Sequence, residues 1–371
     1  ASLFRGGIDS GTANGTPGTD ARALYLKLFS GEMFKGFQRN TIARDLVMRR
    51  TLTNGKSLQF IYTGRTKAEY HTPGKSILGN DDGAPPVAEK TITVDDLLIS
   101  SAFVYELDET LSHYDLRGEI SRKIGYALAE QYDRKIFRAV TKAARKAHPV
   151  TKTNFVEPGG TQIRVGTTGT NASDAYDAGL LINAFYDAAA ALDEKGVSGD
   201  GRVAVLNPRQ YYALIQNVET NGLINRNERG DALQSGNGII EIAGIKIFKS
   251  MNIPFFGNFG TKYGTGSATN PGKADPGNTG SFVDEAMGDD HNVTVNDYGQ
   301  QAKFNNSCGL IFQKEAAACV EAIGPQVQTT SGDISVVYQG DVILGRLAMG
   351  ADFLNPAAAV ELFAGTATKP T

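Results

Sequence analysis

Residues 55–98 read GKSLQFIYTGRTKAEYHTPGKSILGNDDGAPPVAEKTITVDDLL, and they constrain this chain most. Ser57 to Tyr62 and Glu89 to Val94 have the alternation of strands, with Ile92 and Val94 on one face. Lys67 to His71 can form a further strand after a turn or bulge at Thr63-Gly64-Arg65-Thr66. Pro73-Gly74 and the run from Gly79 to Pro86 break regular structure between them. The stretch therefore reads as a long two-stranded ribbon with a polar tip and no core of its own. An isolated hairpin is only marginally stable in water. Such a ribbon needs another surface, and the expected one is a neighbouring subunit. That points to assembly rather than catalysis.

The rest of the chain can supply a body. It has 371 residues, 41% apolar and 21% charged, close to globular averages. Gly is the outlier, at 43 residues where average usage would give roughly 26. The excess sits in turns and long connections. The net charge of −3 argues against a polybasic nucleic-acid coat. Cys308 and Cys319 are eleven residues apart, a spacing that fits no zinc pattern, and they read as reduced thiols of a cytoplasmic chain. No apolar run reaches the 18 residues of a membrane span, so no membrane partner is expected. The N-terminal segment is too polar for a secretory signal.

Along the chain, residues 1–20 are rich in Gly, Thr, Ser and Asp. Residues 21–37 place Leu24, Leu28, Phe29, Met33 and Phe37 on one stripe of a short amphipathic helix. Leu98 to Leu107 reads as a buried strand. The longest helix is expected over 116–147, with Asp115 as N-cap. Ile120, Ile124, Leu128, Tyr132, Ile136 and Val140 form its apolar stripe. Nine Lys and Arg oppose three acids on this helix, which suggests a basic, solvated face. Residues 151–169 read as a hairpin, with Phe155-Val156 paired to Ile163–Val165 across Pro158-Gly159-Gly160. A helix starts at Ser173 or Asp174 and ends at Gly196. Arg202 to Leu206 is a short buried strand, and Pro208 opens a small helix. Gly238 to Ser250 is a two-strand unit turning at Ala243-Gly244. Residues 258–280 form a long loop. Cys308 to Gln313, Ala316 to Ile323 and Asp333 to Met349 are apolar segments, the last a strand. Asn355-Pro356 then leads into 357–363. The order of elements is an α+β pattern.

Chemical motifs are few. Gly55-Lys56-Ser57 and Gly74-Lys75-Ser76 resemble fragments of a phosphate loop, but a Walker loop needs Gly five residues upstream. Arg50 and Glu69 stand there instead. Neither a nucleophile elbow nor an H-E-x-x-H pair occurs. The acidic pairs Asp81-Asp82 and Asp289-Asp290 read as solvated loop charge, and His113 as a packing residue. No catalytic, cofactor or metal site is expected, so the chain is not expected to be an enzyme.

Several residues in order carry a resemblance. They are Gly55-Lys56-Ser57 with Gln59-Phe60 and Gly64-Arg65-Thr66, then Ile92-Thr93-Val94-Asp95 with Leu97-Leu98. His113-Tyr114-Asp115 with Arg117 and Glu119 follows, then Ala348-Met349-Gly350 and Asn355-Pro356. In this set the chain resembles the major capsid proteins of T-seven-like short-tailed double-stranded DNA phages (podoviruses), with a marine cyanophage member as the expected source. The resemblance implies the HK-ninety-seven-like tailed-phage capsid fold. It implies an N-terminal arm and helix over 1–50 and an extended loop over 51–98. A peripheral domain over 99–206 holds the spine helix 116–147. An axial domain spans 207–332, and 333–371 returns to the peripheral domain.

It further implies a virion shell protein, assembled in the host bacterial cytoplasm as pentamers and hexamers into an icosahedral head. The implied partners are copies of itself, a separate scaffolding protein, a portal protein at one vertex, and packaged double-stranded DNA held without sequence specificity. Arg65, Thr66, Tyr70, His71 and Lys75 are the expected intersubunit contacts of the extended loop. Arg134, Arg138 and Lys142 are the expected genome-facing residues. Pro73-Gly74 and Pro158-Gly159-Gly160 are the expected hinges. A non-viral compartment shell of the same fold is the alternative.

Overall fold

A computed structural model describes residues 42–64, 70–74, 87–107, 116–152, 155–166, 172–216, 240–250, 252–253, 306–329 and 338–370. The expected helix at 21–37, the cap at Asp115 and the loop at 258–280 lie outside these residues.

In chain order the elements begin with α1 (Ala43–Leu46) and β1 (Met48–Thr51). The ribbon strands β2 (Ser57–Thr63) and β3 (Val87–Thr93) precede β4 (Leu98–Tyr105) and the long helix α2 (Leu116–Arg145). Short strands β5 (Thr151–Lys152), β6 (Phe155–Val156) and β7 (Thr161–Arg164) lead to α3 (Ala178–Glu194). Then come β8 (Arg202–Leu206), α4 (Pro208–Gln216), β9 (Ile240–Ile242) and β10 (Ile245–Lys249). The chain closes with β11 (Ser307–Gln313), β12 (Ala317–Thr329), β13 (Gly340–Phe353) and β14 (Ala359–Phe363).

These elements form two compact units. The described part of the first takes residues 96–132 and 322–349. There β4 pairs antiparallel with β13, from Gly340 opposite Tyr105 to Leu347 opposite Leu98. Opposed residues share a face. The face of Ala102, Val104, Ile343 and Leu347 turns toward α2. A Cβ on Gly345 would lie 2.4 Å from the Ile124 Cγ2 and 2.9 Å from the Leu128 Cδ1, so only glycine allows this helix to lie so close. The expected apolar stripe of α2 is thus buried: Ile124 and Leu128 here, and Tyr132, Ile136 and Val140 further along.

The second unit takes residues 42–95, 133–321 and 350–371. Its centre is a mixed six-stranded sheet in the order β7-β14-β11-β8-β10-β9. Every residue of β8 and of β14 is buried, as expected of strands covered on both faces. Gly309 sits where a Cβ would lie 2.8 Å from Leu206 and 3.3 Å from Leu362, so the sheet closes over it. The β9–β10 turn has positive φ at Ala243 (53°) and Gly244 (74°), the backbone that a tight hairpin turn requires. β1 runs parallel to the start of β12, Met48 opposite Ala318.

Several local expectations are corrected. α3 starts later than read, because Asp177 caps it: its carboxylate accepts from Leu180 N at 3.1 Å. Its end is as read. Gly196 N donates to Asp193 O and Val197 N to Leu192 O, closing the helix on a left-handed glycine. The hairpin at 151–169 does not form as expected. β6 pairs with β5, whereas β7 runs parallel to β14 in the large sheet. Tyr70 and His71, expected at the end of a strand, are irregular. The expected hinge at Pro158-Gly159-Gly160 is a close approach. A Cβ on Gly160 would lie 2.3 Å from the Ala143 and Ala144 carbonyl oxygens, and Gly160 N donates to Lys146 O. The large sheet also runs across the boundary expected between 206 and 207, since β8 bonds to both β10 and β11. A linear reading cannot see which distant strands pair.

Candidate functional site: a ribbon anchored on one face

β2 and β3 pair antiparallel over their whole length, from Ser57 opposite Thr93 to Thr63 opposite Val87. Burial alternates along both strands, so the two faces differ. The inner face carries Leu58, Phe60 and Tyr62 opposite Ile92, Lys90 and Ala88. The outer face carries Gln59, Ile61 and Thr63 opposite Thr91, Glu89 and Val87. Period-two geometry makes this division automatic once one face is covered.

The inner face lies on the chain's own body, which corrects the expectation that a neighbour must supply the whole support. Ile92 is fully buried at the foot, where Val94 N donates to Lys56 O at 2.9 Å. Higher up, Lys90 Nζ lies 2.6 Å from Asp352 and 3.9 Å from the centre of the Phe353 ring. Lys142, on α2, pairs with the same carboxylate at 3.2 Å. Asp352 is thus a shared anchor between the ribbon and the helix. Tyr62 donates its hydroxyl to the Leu354 carbonyl and meets the His148 ring edge-on, centroids 5.6 Å apart. Burial, and secondly the Asp352 charge, push the Tyr62 phenol above its ordinary pKa. Burial pushes His148 below its ordinary value against the pull of Glu157, and its Nδ1 accepts from Val150 N.

A cleft of about 310 Å³ opens beside Tyr62 and His148 and is also lined by Glu157, Lys195 and Glu315. Lys195 Nζ donates to the Gly159 carbonyl at 2.7 Å, and burial lowers its pKa to about 8.

The outer face is bare of such anchors among the described residues. Ile61 is 74% exposed and Val87 63%. Tyr70, just past the ribbon, is fully exposed. Tyr70 and His71 are therefore accessible, while Arg65, Thr66 and Lys75 lie outside the described residues. The first Gly-Lys-Ser tripeptide lacks the helix that a phosphate loop needs after it, and Lys75 and Ser76 of the second lie outside the described residues. Gly55 has φ 95° and Gly74 φ 89° in turns, and strand β2 follows the first.

The expected genome-facing set needs correction. Arg134 is 7% exposed and Arg138 2%, so neither guanidinium can reach a DNA phosphate in this conformation. Lys142 is partly exposed but held by Asp352. Over residues 132–141 every side of α2 is buried. Several charges of its second half are used internally. The Asp133 carboxylate accepts from Ile42 N and Ala43 N, both at 3.1 Å, and from Asn252 at 3.4 Å. Lys135 pairs with Asp95 at 3.5 Å. Arg145 grips the buried Glu361 with two bonds of 2.8 and 2.6 Å, and Gln162 adds a third. Sequence reading did not single out Asp352 or Glu361. One signal was present for Glu361: it is the lone acid of an apolar strand, which demands a cation, and the helix carried the surplus.

The family profile of Gp10A-like major capsid proteins matches residues 59–363. The chain belongs to the Gp10A-like major capsid protein family. This capsid protein is 28% identical over 368 residues to the major capsid protein of Escherichia phage T7, covering 95% of this chain and 96% of that one. A 134-residue stretch is 36% identical to the major capsid protein of Enterobacteria phage T3, 35% of this chain and 38% of the other. Among solved structures, the capsid of cyanophage P-SCSP1u shares 30% identity, with a TM-score of 0.69 over 98% of this chain and 99% of its own. The mature capsid of bacteriophage PhiM1 shares 15% identity at a TM-score of 0.59, with 95% and 94% covered, and supports the fold alone. The fold is the α+β HK-ninety-seven-like fold of tailed-phage capsids, as the resemblance implied. The phage reading is favoured over a non-viral compartment shell.

Proposed function

We propose that this capsid protein builds a closed icosahedral head around double-stranded DNA, as pentamers and hexamers, with the ribbon as its intersubunit strap. One observation carries the reading: the inner face of the ribbon is anchored on its own body, while the outer face presents Ile61 and Val87 to solvent. Exposed aliphatics on two paired strands, rimmed by Gln59, Thr91 and Glu89, are the composition of an interface. On this reading Tyr70 and His71, with Arg65, Thr66 and Lys75, extend the strap onto a neighbouring copy. The peripheral and axial domains of the resemblance are part of the same proposal.

The other partners are a scaffolding protein during assembly and a portal protein at one vertex. Assembly takes place in the host bacterial cytoplasm, and the protein's work is structural rather than enzymatic. The genome is enclosed without sequence-specific contact. The net charge of −3 and the internal use of the α2 cations support that. The test is deletion of residues 63–86. The variant subunit should keep its melting transition and fail to form closed shells in electron micrographs. Normal shells would overturn the proposal.

A further inference from the structure

The turn that follows α2 touches the ribbon through one titratable ring. His148 Nδ1 accepts from Val150 N at 3.1 Å, across Pro149. Val150 is buried, so this bond closes the turn against the core. The same ring meets Tyr62 of β2, centroids 5.6 Å apart and planes at 69°. Tyr62 in turn donates to the Leu354 carbonyl. His148 therefore stands between the turn and the upper part of β2. A nitrogen accepts a hydrogen bond only through a lone pair. Neutral imidazole keeps that pair on one nitrogen, and imidazolium keeps it on neither. The bond from Val150 thus exists only while His148 is neutral. A proton on Nδ1 would set two N–H groups against each other, and the turn would have to open.

We propose that His148 is a proton-sensitive latch: neutral, it holds the upper part of the ribbon on the chain's own body, and protonated, it lets that part go. The groups around the ring set the balance. Tyr62 faces it from β2. Glu157, just after β6, draws the proton on. Lys195, just after α3, and Glu315, between β11 and β12, line the same cleft with opposite charges. Burial outweighs Glu157 and holds the closed ring below its ordinary pKa of 6.5. A ring swung out into water regains that ordinary value. Between the two values the open latch takes up a proton that the closed one refuses. Closure therefore has its full strength above about pH 6.5 and weakens as the pH falls below it. The foot at Ile92 and the Lys90–Asp352 pair are held by other contacts, so release is confined to the end of the ribbon near Tyr62. Its use in assembly rests on the strap reading above, but the latch belongs to the single chain and is tested there.

The test uses His148→Asn. An asparagine Oδ1 accepts from the N–H two residues on, as in an Asx turn, and takes up no proton near neutrality. Amide exchange is compared between the unassembled wild type and this variant at the same pH. Intrinsic exchange chemistry and the titration of Glu157, Glu315 and Asp352 then cancel. At about pH 7.5, where the latch is closed, residues 61–63 and 87–89 should be equally protected in both proteins. At about pH 5 the wild type should exchange there about fivefold faster, the worth of one ordinary hydrogen bond, with β8 and β11 unchanged. The same ratio at both pH values would overturn the proposal, as would an equal loss of protection in β8 and β11. If the variant does not fold, the wild type decides alone. After division by intrinsic rates, protection of 61–63 should fall relative to β8 between the two pH values, and a constant ratio would overturn the latch. Deletion of 63–86 tests the strap separately, through assembly.

Discussion

The six-stranded sheet and the ribbon are both β-structure in the same unit, yet they are stabilised differently. In the sheet, β8 and β14 are buried at every position, and the lone charge of β14, Glu361, is matched by Arg145 and Gln162. In the ribbon only alternate residues are covered, and above the foot the anchors are polar: Asp352 with two lysines, and Tyr62 with a carbonyl. The sheet is complete within one chain. The ribbon is half complete. Polar, partly exposed contacts are worth little individually and yield to competition. A subunit that must fold alone and then bind its copies has reason to keep its core dry and its strap lightly held.

The largest effect expected from breaking this contrast is in the sheet. Glu361→Ala leaves Arg145 buried without its partner and should cost about 3–5 kcal/mol of subunit stability, read as a large fall in melting temperature. A fall no larger than a surface substitution gives would mean the pair is not part of the core. Next, Asp352→Ala should loosen the ribbon by about 1–3 kcal/mol. Amide exchange should quicken in 57–63 and 87–93 and stay slow in β8 and β11. Equal protection of the ribbon in this variant and the wild type would show that the ribbon does not depend on this anchor. The outer face should respond differently: Ile61→Asp with Val87→Asp should change subunit stability by no more than about 0.5 kcal/mol and still abolish particles. A marked loss of subunit melting temperature would show that the face packs within its own chain.

The smallest effect is a pH dependence at the cleft. The Lys195 pKa is about 8 in the fold against 10.5 unfolded. Between these values the unfolded chain holds a proton that the folded chain has lost, so stability rises with pH. The wild type should gain in melting temperature over Lys195→Met as pH rises from about 8 to above 10. A constant difference across that window would refute the assignment.

Much of the ribbon was legible from residues alone, because alternation and turn chemistry are local. Ile92, Gly55 and Pro73-Gly74 each declare a strand or a break within a few positions. Its anchor was less legible. Asp352 lies 262 residues from Lys90 in the chain, and only folding joins them. Among the α2 cations, Arg134 and Arg138 are the ones the sequence reading misplaces. Helical periodicity marks the apolar stripe but says nothing of how many other elements surround it. Around Arg134 and Arg138 those elements cover every side, whereas Lys123 and Lys146 stay exposed.

The amino-acid sequence thus determined the elements, the apolar stripe of the long helix, and a ribbon in want of a surface, because those follow from local backbone preference and periodicity. The tertiary structure decided which face of that ribbon is already satisfied, and that decision leaves Ile61 and Val87 turned outward. The physical reason is that burial is set by long-range packing: the same alternating strand can turn either face inward, and distant residues such as Asp352, Phe353, Leu354 and His148 beneath it choose.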